Sequence, residues 1–198
     1  MHVVNIADRN AVCPLPEAVI KAHGSIDGII NNAGIIQNFV RISELDFGAI
    51  ERGVNVNLWG VVNMTKIFLP YLLQRAEAHI VNISSMGGFL PVPGQSVYGM
   101  TKAGVKLFTE GLTSELAGTN VHVSLVFPGA IATNIAGNSG IKMDAGAHTA
   151  ESSKIKMTLP ADAAAMIVHG METNRTRVFV GSDSKMMDLL SRIAPEFA

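Results

Sequence analysis

The sequence predicts an α/β protein built on a parallel sheet, and three observations lead to this prediction. Short runs of β-branched residues alternate with longer helical patterns along the chain. Polar and glycine-rich motifs follow several predicted strands, as they do where parallel strands present a ligand site at their carboxyl ends. The 198 residues are 48% hydrophobic and 16% charged, which suits a single globular domain with one core.

Five short runs rich in β-branched residues predict the strands. In chain order they are His2–Ile6, Ile26–Asn31, His79–Ser84, Val121–Phe127 and Arg177–Val180. Turn-forming residues bound these runs; Pro128 and Gly129, for example, end the fourth one. The alternation of such runs with helices is typical of parallel strands joined by crossover helices.

Six segments with helical patterns lie between and after these strands. They are Pro14–His23, Ser43–Arg52, Val56–Arg75, Val97–Ala117, Asp162–Met171 and Lys185–Ile193. Gly24 ends the first of them, because glycine readily adopts the backbone conformation that follows a helix. Ser43 is the predicted cap of the second, with a carboxylate at Asp46 three residues later. Pro70 is predicted to kink the third or to end its regular part.

Charge and cysteine content exclude several classes of protein. Fifteen Lys and Arg against sixteen Asp and Glu give a net charge of -1, so no basic surface for nucleic acid is expected. The apolar runs are too short to cross a bilayer, and the first ten residues do not resemble a secretory signal. Cys13 is the single cysteine, which excludes an internal disulfide and favours a reducing compartment such as the cytoplasm.

A tyrosine and a lysine form the core of a predicted catalytic site. Tyr98 and Lys102 are four residues apart on a predicted helix, so they share one face. Taken alone, such a pair is more often an ordinary pair on a helix surface. Ser85, thirteen residues before Tyr98, lies at the carboxyl end of a predicted strand, where ligands bind in open α/β sheets.

These residue types suit proton transfer at an alcohol or carbonyl oxygen. A free tyrosine has a pKa of about 10, too high for a base at neutral pH. The ammonium group of Lys102 is expected to stabilise the phenolate of Tyr98 and so to lower its pKa. Ser85 can donate a hydrogen bond to a substrate oxygen on which charge develops.

Five motifs carry a resemblance to one enzyme family. They are Asn-Asn-Ala-Gly at 31–34, Asn-Leu-Trp-Gly at 57–60, Asn-Ile-Ser-Ser at 82–85, Tyr-Gly-Met-Thr-Lys at 98–102 and Pro-Gly-Ala-Ile-Ala-Thr at 128–133. In this order and spacing the chain resembles the short-chain dehydrogenases/reductases. The resemblance implies a Rossmann-like doubly wound parallel sheet, an oxidoreductase activity and a cofactor that is NAD or NADP.

The resemblance also implies that the family's opening segment is missing from this sequence. No Thr-Gly-x-x-x-Gly-x-Gly or Gly-x-Gly-x-x-Gly motif occurs in the 198 residues, and His2–Ile6 resembles the family's third strand. We therefore expect one incomplete NAD(P)-binding domain over residues 1–198, truncated at the N-terminus, with the first two strands and helices absent. Ile26–Asn31 would then form an apolar edge of the sheet.

Site residues follow from the resemblance by position. It implies that Tyr98 is the acid/base, that Lys102 supports it and bonds the nicotinamide ribose, and that Asn57 holds a water linking Lys102 to solvent. An equally open alternative is that Asn57 bonds its own backbone at the start of its helix. The remaining residues implied to bind cofactor are Asn32, Ala33 and Gly34, with Asn31 a weaker candidate, on the adenosine side, and Pro128, Gly129, Ile131 and Thr133 around the nicotinamide.

Two functions remain open at this point. The favoured one is transfer of a hydride between NAD(P) and an alcohol or ketone by Ser85, Tyr98, Lys102 and Asn57. The alternative is a catalytically impaired member acting as an oligomerisation or regulatory module. Helices 56–75 and 97–117 are implied to form a homodimer or homotetramer, and residues 136–157 are expected to be a substrate lid or, less favoured, a disordered loop. No histidine has metal-ligand spacing, so no metal site is expected.

Overall fold

The computed structural model describes residues 1–90, 92–141 and 157–194. Within them four strands form one sheet: β1 (Gly28–Asn31), β2 (Ala78–Ile83), β3 (Val121–Pro128) and β4 (Arg177–Val180). All neighbouring strands are parallel, in the order β1-β2-β3-β4. Eight α-helices accompany them in the described residues: α1 (Arg9–Val12), α2 (Leu15–His23), α3 (Phe47–Val54), α4 (Gly60–Leu72), α5 (Ser96–Glu115), α6 (Ile135–Asn138), α7 (Pro160–Glu172) and α8 (Ser182–Ile193).

The helices cover both faces of the sheet, which confirms the predicted doubly wound fold. Side chains alternate between the two faces along β2: Ile80 packs with α4 and α5 residues, whereas Val81 packs on the side of α7. Both are fully buried, as expected for a strand of a parallel sheet covered on both faces. The core therefore lies in two layers on either side of β2 and β3.

The prediction of a strand at His2–Ile6 is wrong. Residues 1–5 have no regular structure, and the side chain of Ile6 packs against Gly60 at the start of α4. The Asn63 amide donates to the carbonyl oxygen of Ile6 at 3.1 Å. A strand needs a neighbouring strand to pair its backbone N–H and C=O groups, and residues 2–6 pair with none of the described strands. β1 is therefore the edge of the described sheet, and its Ile30 is 48% exposed. The predicted apolar edge is thus observed, without a partner strand.

The cap predicted for the next helix is also corrected. Ser43 lies in a 3-10 turn, Ile42–Glu44, and α3 begins only after Asp46. The Asp46 carboxylate accepts the Ala49 N–H at 3.0 Å, so Asp46 is the N-cap. Beyond α3, a single π-helical turn over Asn55–Trp59 leads directly into α4. Pro70 lies inside α4, whose last turn ends at Leu72.

The segment predicted as a lid, 136–157, lies mostly outside the described residues. Its first residues belong to the short helix α6. Met157 and Thr158 return to the sheet, where Thr158 forms an isolated parallel bridge with Ile131. Among the described residues, no helix has the length and apolar composition needed to cross a membrane.

Candidate active site

A cavity of about 620 Å³ lies at the carboxyl edge of the sheet. The ends of β1, β2 and β3 meet there, because parallel strands present their carboxyl ends on the same side. Nine of the residues predicted from the motifs line it: Asn32, Gly34, Ser85, Tyr98, Lys102, Pro128, Gly129, Ile131 and Thr133. The cavity is completed by aliphatic side chains, several of them from α7, including Ala163, Ala164, Ile167 and Val168.

Ser85 and Tyr98 are brought together at this edge. Ser85 follows β2 in extended backbone, and its hydroxyl oxygen accepts the Gly87 N–H at 3.0 Å. The Tyr98 ring, on the first turn of α5, lies next to it. A Cβ on Gly87 would lie 3.3 Å from the Tyr98 ring and 3.5 Å from the Ser85 hydroxyl. Both side chains line the cavity.

Ser84 is the neighbouring hydroxyl, and its environment differs. It is buried and its hydroxyl donates to the carbonyl oxygen of Lys102 at 2.8 Å. Although Ser84 contributes to the cavity wall, this bond ties β2 to α5. The Ser84 hydroxyl is therefore engaged within the fold, whereas the Ser85 hydroxyl accepts, within the described residues, only the N–H of Gly87 two residues later.

Lys102 lies deep in the site, one helical turn after Tyr98. Only 4% of its surface is exposed, and its ammonium group donates to the carbonyl oxygen of Ile83 at 3.0 Å. The Nζ atom is 5.9 Å from the centre of the Tyr98 ring. Burial disfavours the charged form and lowers the pKa of Lys102 to about 8. The group is still mostly protonated at neutral pH.

The predicted direction of the Tyr98 pKa shift is not observed. Burial raises the pKa of Tyr98, and the neighbouring Ser85 hydroxyl offsets only part of the rise. The physical reason is that the phenolate loses hydration in the cavity, while the Lys102 ammonium is directed at the Ile83 carbonyl. In this structure Tyr98 is therefore a neutral phenol at neutral pH.

Asn57 is fully buried on the π-helical turn before α4. Its side-chain oxygen accepts the Ile35 N–H at 2.8 Å, and its amide donates to the Ile35 carbonyl at 2.8 Å and to the Thr101 hydroxyl at 3.1 Å. Neither sequence-based reading included these partners. Asn57 joins the loop after β1 to the helix that carries Tyr98 and Lys102.

Gly34 and Gly129, two of the residues implied to bind cofactor, have protein neighbours in the structure. A Cβ on Gly34 would lie 3.3 Å from the Lys102 ammonium and 3.4 Å from the Asn57 side-chain oxygen. A Cβ on Gly129 would overlap the carboxylate of Asp183. Because glycine has no side chain, these two positions leave room for the side chains of Lys102, Asn57 and Asp183.

Asp183 has no sequence motif that points to the site. It lies in the first turn of α8, and its carboxylate accepts the Ala130 N–H at 2.7 Å. The next residue, Ser184, donates to the Phe127 carbonyl oxygen at 2.7 Å. Together they hold the 128–133 loop from one side, while Thr158 pairs with it from the other.

Three of the predicted residues lie outside the cavity wall. Asn57 is described above, Ala33 is exposed beside the cavity, and Asn31 points into the core. The Asn31 amide donates to the Asn82 side-chain oxygen at 2.7 Å and to the Thr65 hydroxyl at 3.3 Å. In the described residues, no group of three or more histidine, cysteine or carboxylate side chains could hold a metal ion.

The doubly wound parallel sheet and the cavity at its carboxyl edge define a Rossmann-type α/β protein. A sequence model of short chain dehydrogenases matches residues 1–144, and the chain belongs to this oxidoreductase family. The resemblance found from the five motifs is thereby confirmed.

Individual relatives agree with this assignment. The chain is 40% identical over 195 residues to SadH of Mycobacterium tuberculosis, a match that covers 96% of this chain and 70% of SadH. It is 41% identical over 134 residues to FabG of Thermotoga maritima, named as a 3-oxoacyl-(acyl-carrier-protein) reductase, covering 67% of this chain and 53% of FabG.

Solved structures share the fold. A short chain dehydrogenase/reductase from Burkholderia phymatum, solved in complex with NAD, has a TM-score of 0.84 at 24% identity, covering 98% of this chain and 75% of that one. A serine dehydrogenase in its closed form with NADP+ has a TM-score of 0.76 at 26% identity, covering 89% and 72%.

Proposed function

We propose that this chain transfers a hydride between NAD or NADP and an alcohol or ketone, with Tyr98 as the acid/base. The observation that carries the proposal is the cluster of three groups in one cavity: the Tyr98 phenol, the Ser85 hydroxyl near it, and the buried ammonium of Lys102 one helical turn after Tyr98. The names of the relatives support an oxidoreductase, and FabG is named as a reductase.

The residues of the cavity fit the nicotinamide half of such a cofactor. Lys102 uses one of its three ammonium hydrogens on Ile83, which leaves donors for ribose hydroxyls. In the described residues the one charged side chain that lines the cavity is Lys102, whose ammonium attracts an anionic dinucleotide, while the Asp183 carboxylate lies behind Gly129 and accepts the Ala130 N–H. Pro128, Gly129, Ile131 and Thr133 would hold the nicotinamide, and Asn32 and Gly34 the adenosine side.

The proposed chemistry assigns one task to each side chain. When bound, the nicotinamide supplies or accepts the hydride. In the reductive direction Tyr98 donates its proton to the substrate oxygen, to which Ser85 donates a hydrogen bond. Lys102 stabilises the phenolate that remains. Because burial raises the pKa of Tyr98, the phenol is protonated at neutral pH, which favours ketone reduction over alcohol oxidation there.

The direct test combines cofactor binding with loss of one hydroxyl. Titration of NADH and NADPH fluorescence with the chain should show saturable binding. A panel of ketones should then show turnover that falls at least a thousandfold in Tyr98→Phe, since the proton donor is gone, while binding is unchanged. Tyr71→Phe, at the chain's other tyrosine on α4, is the matched control and should keep full turnover. Absence of binding at millimolar cofactor would favour the alternative of a catalytically impaired module.

We also propose that the chain self-associates as a homodimer or homotetramer through helices 56–75 and 97–117. On the second of these helices Val105, Leu112 and Leu116 are buried in the core of the chain itself and are not available to a partner. The apolar side chains exposed on these helices include Leu107 and Trp59, which are 71% and 53% exposed. Apolar side chains at that exposure are available to a partner chain.

A cytoplasmic location is proposed on the chemistry of its one cysteine. Cys13 is exposed, and a chain with a single cysteine forms no internal disulfide. An exposed thiol persists best in a reducing compartment. Labelling of Cys13 by a thiol reagent directly after rapid lysis should show it reduced; a stable mixed disulfide there would contradict the proposal.

A further inference from the structure

The helix that carries Tyr98 has no local cap. α5 begins at Ser96, and the side chain of the N-cap residue, Gln95, makes no capping hydrogen bond. The first four N–H groups of a helix have no partner inside it and need one elsewhere when they are shielded from water. The N–H of Tyr98 belongs to this first turn. The placement of its phenol depends on whatever holds that turn.

A glutamine from a distant loop satisfies this N–H. The Gln37 side-chain oxygen accepts the Tyr98 N–H at 2.9 Å, across 61 residues of sequence. Its amide nitrogen donates to the Gly94 carbonyl oxygen at 3.1 Å, in the turn that precedes the helix. One side chain thus bonds both the first turn of α5 and the loop that leads into it.

A second glutamine, Gln95, forms a hydrogen bond back to Gln37. The Gln95 amide donates to the main-chain carbonyl oxygen of Gln37 at 2.8 Å. Gln37 and Gln95 are only 8% and 4% exposed. Water competes little for hydrogen bonds between such buried groups. If one partner is removed, the other remains buried without a hydrogen bond, which is energetically costly. The pair therefore holds the loop and the helix in one relative position.

The same loop is held at its other end by the site. Ile35, two residues before Gln37, is bonded at both its N–H and its carbonyl to Asn57. Asn57 in turn donates to Thr101, on the helix between Tyr98 and Lys102. Residues 35–37 are thus joined to α5 at two points: directly at Tyr98, and at Thr101 through Asn57.

We propose that Gln37 is a positioning residue for Tyr98, acting as a non-local cap of α5 that keeps the phenol against Ser85. This inference rests on the proposed function, because it concerns how the acid/base of that function is held. Removal of the Gln37 amide leaves the Tyr98 N–H without its acceptor and loosens the first turn. A looser turn lets the phenol leave Ser85 for part of the time, which lowers the rate of proton transfer more than the affinity for cofactor.

The test uses three variants of the whole chain. Gln37→Met removes the amide at nearly constant size. Gln37→Glu retains an oxygen that can accept the Tyr98 N–H but loses the donor to the Gly94 carbonyl oxygen, so it keeps the cap alone. Gln74→Met is the matched control, since Gln74 is exposed and donates to Pro70 near the end of α4, away from the cavity. Two measurements are made on each: hydrogen exchange of the Tyr98 amide without cofactor, and kcat and KM for the best ketone of the panel.

The expected result is specific to positioning. Gln37→Met should exchange the Tyr98 amide at least tenfold faster, lower kcat about tenfold and leave KM for the cofactor within twofold, while Gln37→Glu recovers most of both effects. Gln74→Met should match the wild type. Unchanged exchange or unchanged kcat in Gln37→Met would overturn the inference, as would a loss of cofactor affinity equal to the loss of kcat.

Failure of this inference can be told from failure of the proposed function. If the wild type turns over no ketone, the proposed function fails, and the exchange of the Tyr98 amide still decides whether Gln37 caps α5. If Gln37→Met does not fold, hydrogen exchange of the wild type decides, because the Gln37 oxygen should protect the Tyr98 amide. Exchange of this amide as fast as in an unfolded chain would also overturn the inference.

Discussion

Burial shifts the pKa values of the two ionisable side chains of the cavity in opposite directions. It raises the pKa of Tyr98 and lowers the pKa of Lys102 to about 8. In both cases the neutral form gains, because a charged group loses its hydration in the cavity. The consequence for chemistry is a protonated phenol beside a lysine that loses its proton close to the physiological range. The consequence for stability is that folding carries a cost for the charged lysine.

The cost for Lys102 predicts how stability depends on pH. Its folded-state pKa of about 8 lies below the ordinary lysine value of 10.5, so the unfolded chain holds more protons between these values. The free energy of unfolding should therefore rise with pH from 8 to 10, by at most about 1.4 kcal/mol per pH unit from this group. Urea denaturation measures the free energy of unfolding of the wild type and of Lys102→Met, and the wild-type value minus the variant value should rise from pH 8 to pH 10.

Lys106→Met is the control for loss of a lysine from the same helix. Lys106 lies one turn further along α5, where it pairs with Glu110 on the helix surface at 2.9 Å. If the free energy of unfolding of the wild type minus that of Lys102→Met stays constant or falls from pH 8 to pH 10, burial does not penalise the Lys102 charge.

At the level of elements, local sequence predicts strands and helices well and their ends less well. The helix predicted from Ser43 begins four residues later, because Asp46 offers a carboxylate to the Ala49 N–H while Ser43 is part of a 3-10 turn. Both residue types are good caps, so composition alone did not separate them. The strand predicted at His2–Ile6 failed for another reason, since a strand depends on a neighbour that its own residues do not specify.

The position of this cap can be tested by two alanine substitutions. Asp46→Ala removes the acceptor of the Ala49 N–H and should lower the free energy of unfolding by about 1 kcal/mol. Ser43→Ala, the matched control at the cap expected from sequence, should change it by less than about 0.5 kcal/mol. Chemical denaturation distinguishes them, and the reverse ranking would restore Ser43 as the cap.

The contact between Gly129 and Asp183 joins β3 to α8 beside the cavity. Gly129→Ala places a methyl group on the Asp183 carboxylate, so it should destabilise the fold by about 1–3 kcal/mol. Gly111→Ala is the control: Gly111 lies on α5 with open space around it, and alanine there should be neutral or stabilise by about 0.5–1 kcal/mol.

A double variant identifies the cause of that destabilisation. If the clash with Asp183 is responsible, adding Asp183→Ala to Gly129→Ala should cost less than the sum of the two single changes, measured by thermal or chemical unfolding. Strict additivity would mean that the two residues do not touch.

For the whole molecule, the four parallel strands place residues that are far apart in sequence at one edge. Ser85, Tyr98 and Gly129 come from different segments, yet all line one cavity because the strands before or beside them run in the same direction. The outer surface of α5 is the second feature at this scale. Leu107 stands 71% exposed on the face turned away from the core.

Self-association is tested at that surface. Leu107→Glu places a charge in the proposed interface and should convert oligomers of the wild type to monomers in sedimentation at equal protein concentration. Leu189→Glu on α8, where the leucine is 59% exposed, is the control and should leave the distribution unchanged. A wild type that is monomeric at all concentrations, or an unaffected Leu107→Glu, would contradict the proposed interface.

Within the described residues, the sequence by itself determined the α/β class, all four strands, six of the eight α-helices, and five motifs, four of which meet at the cavity. It could do so because periodicity is a local property and because the ends of parallel strands always meet at one edge. Only the tertiary structure decided that Asn57 bonds Ile35, that Gly129 makes room for Asp183, and that Gln37 caps the helix of Tyr98. Each of these contacts joins residues separated by 22 to 61 positions in the sequence. Which side chains meet across such separations depends on tertiary packing, and the local sequence pattern does not specify it.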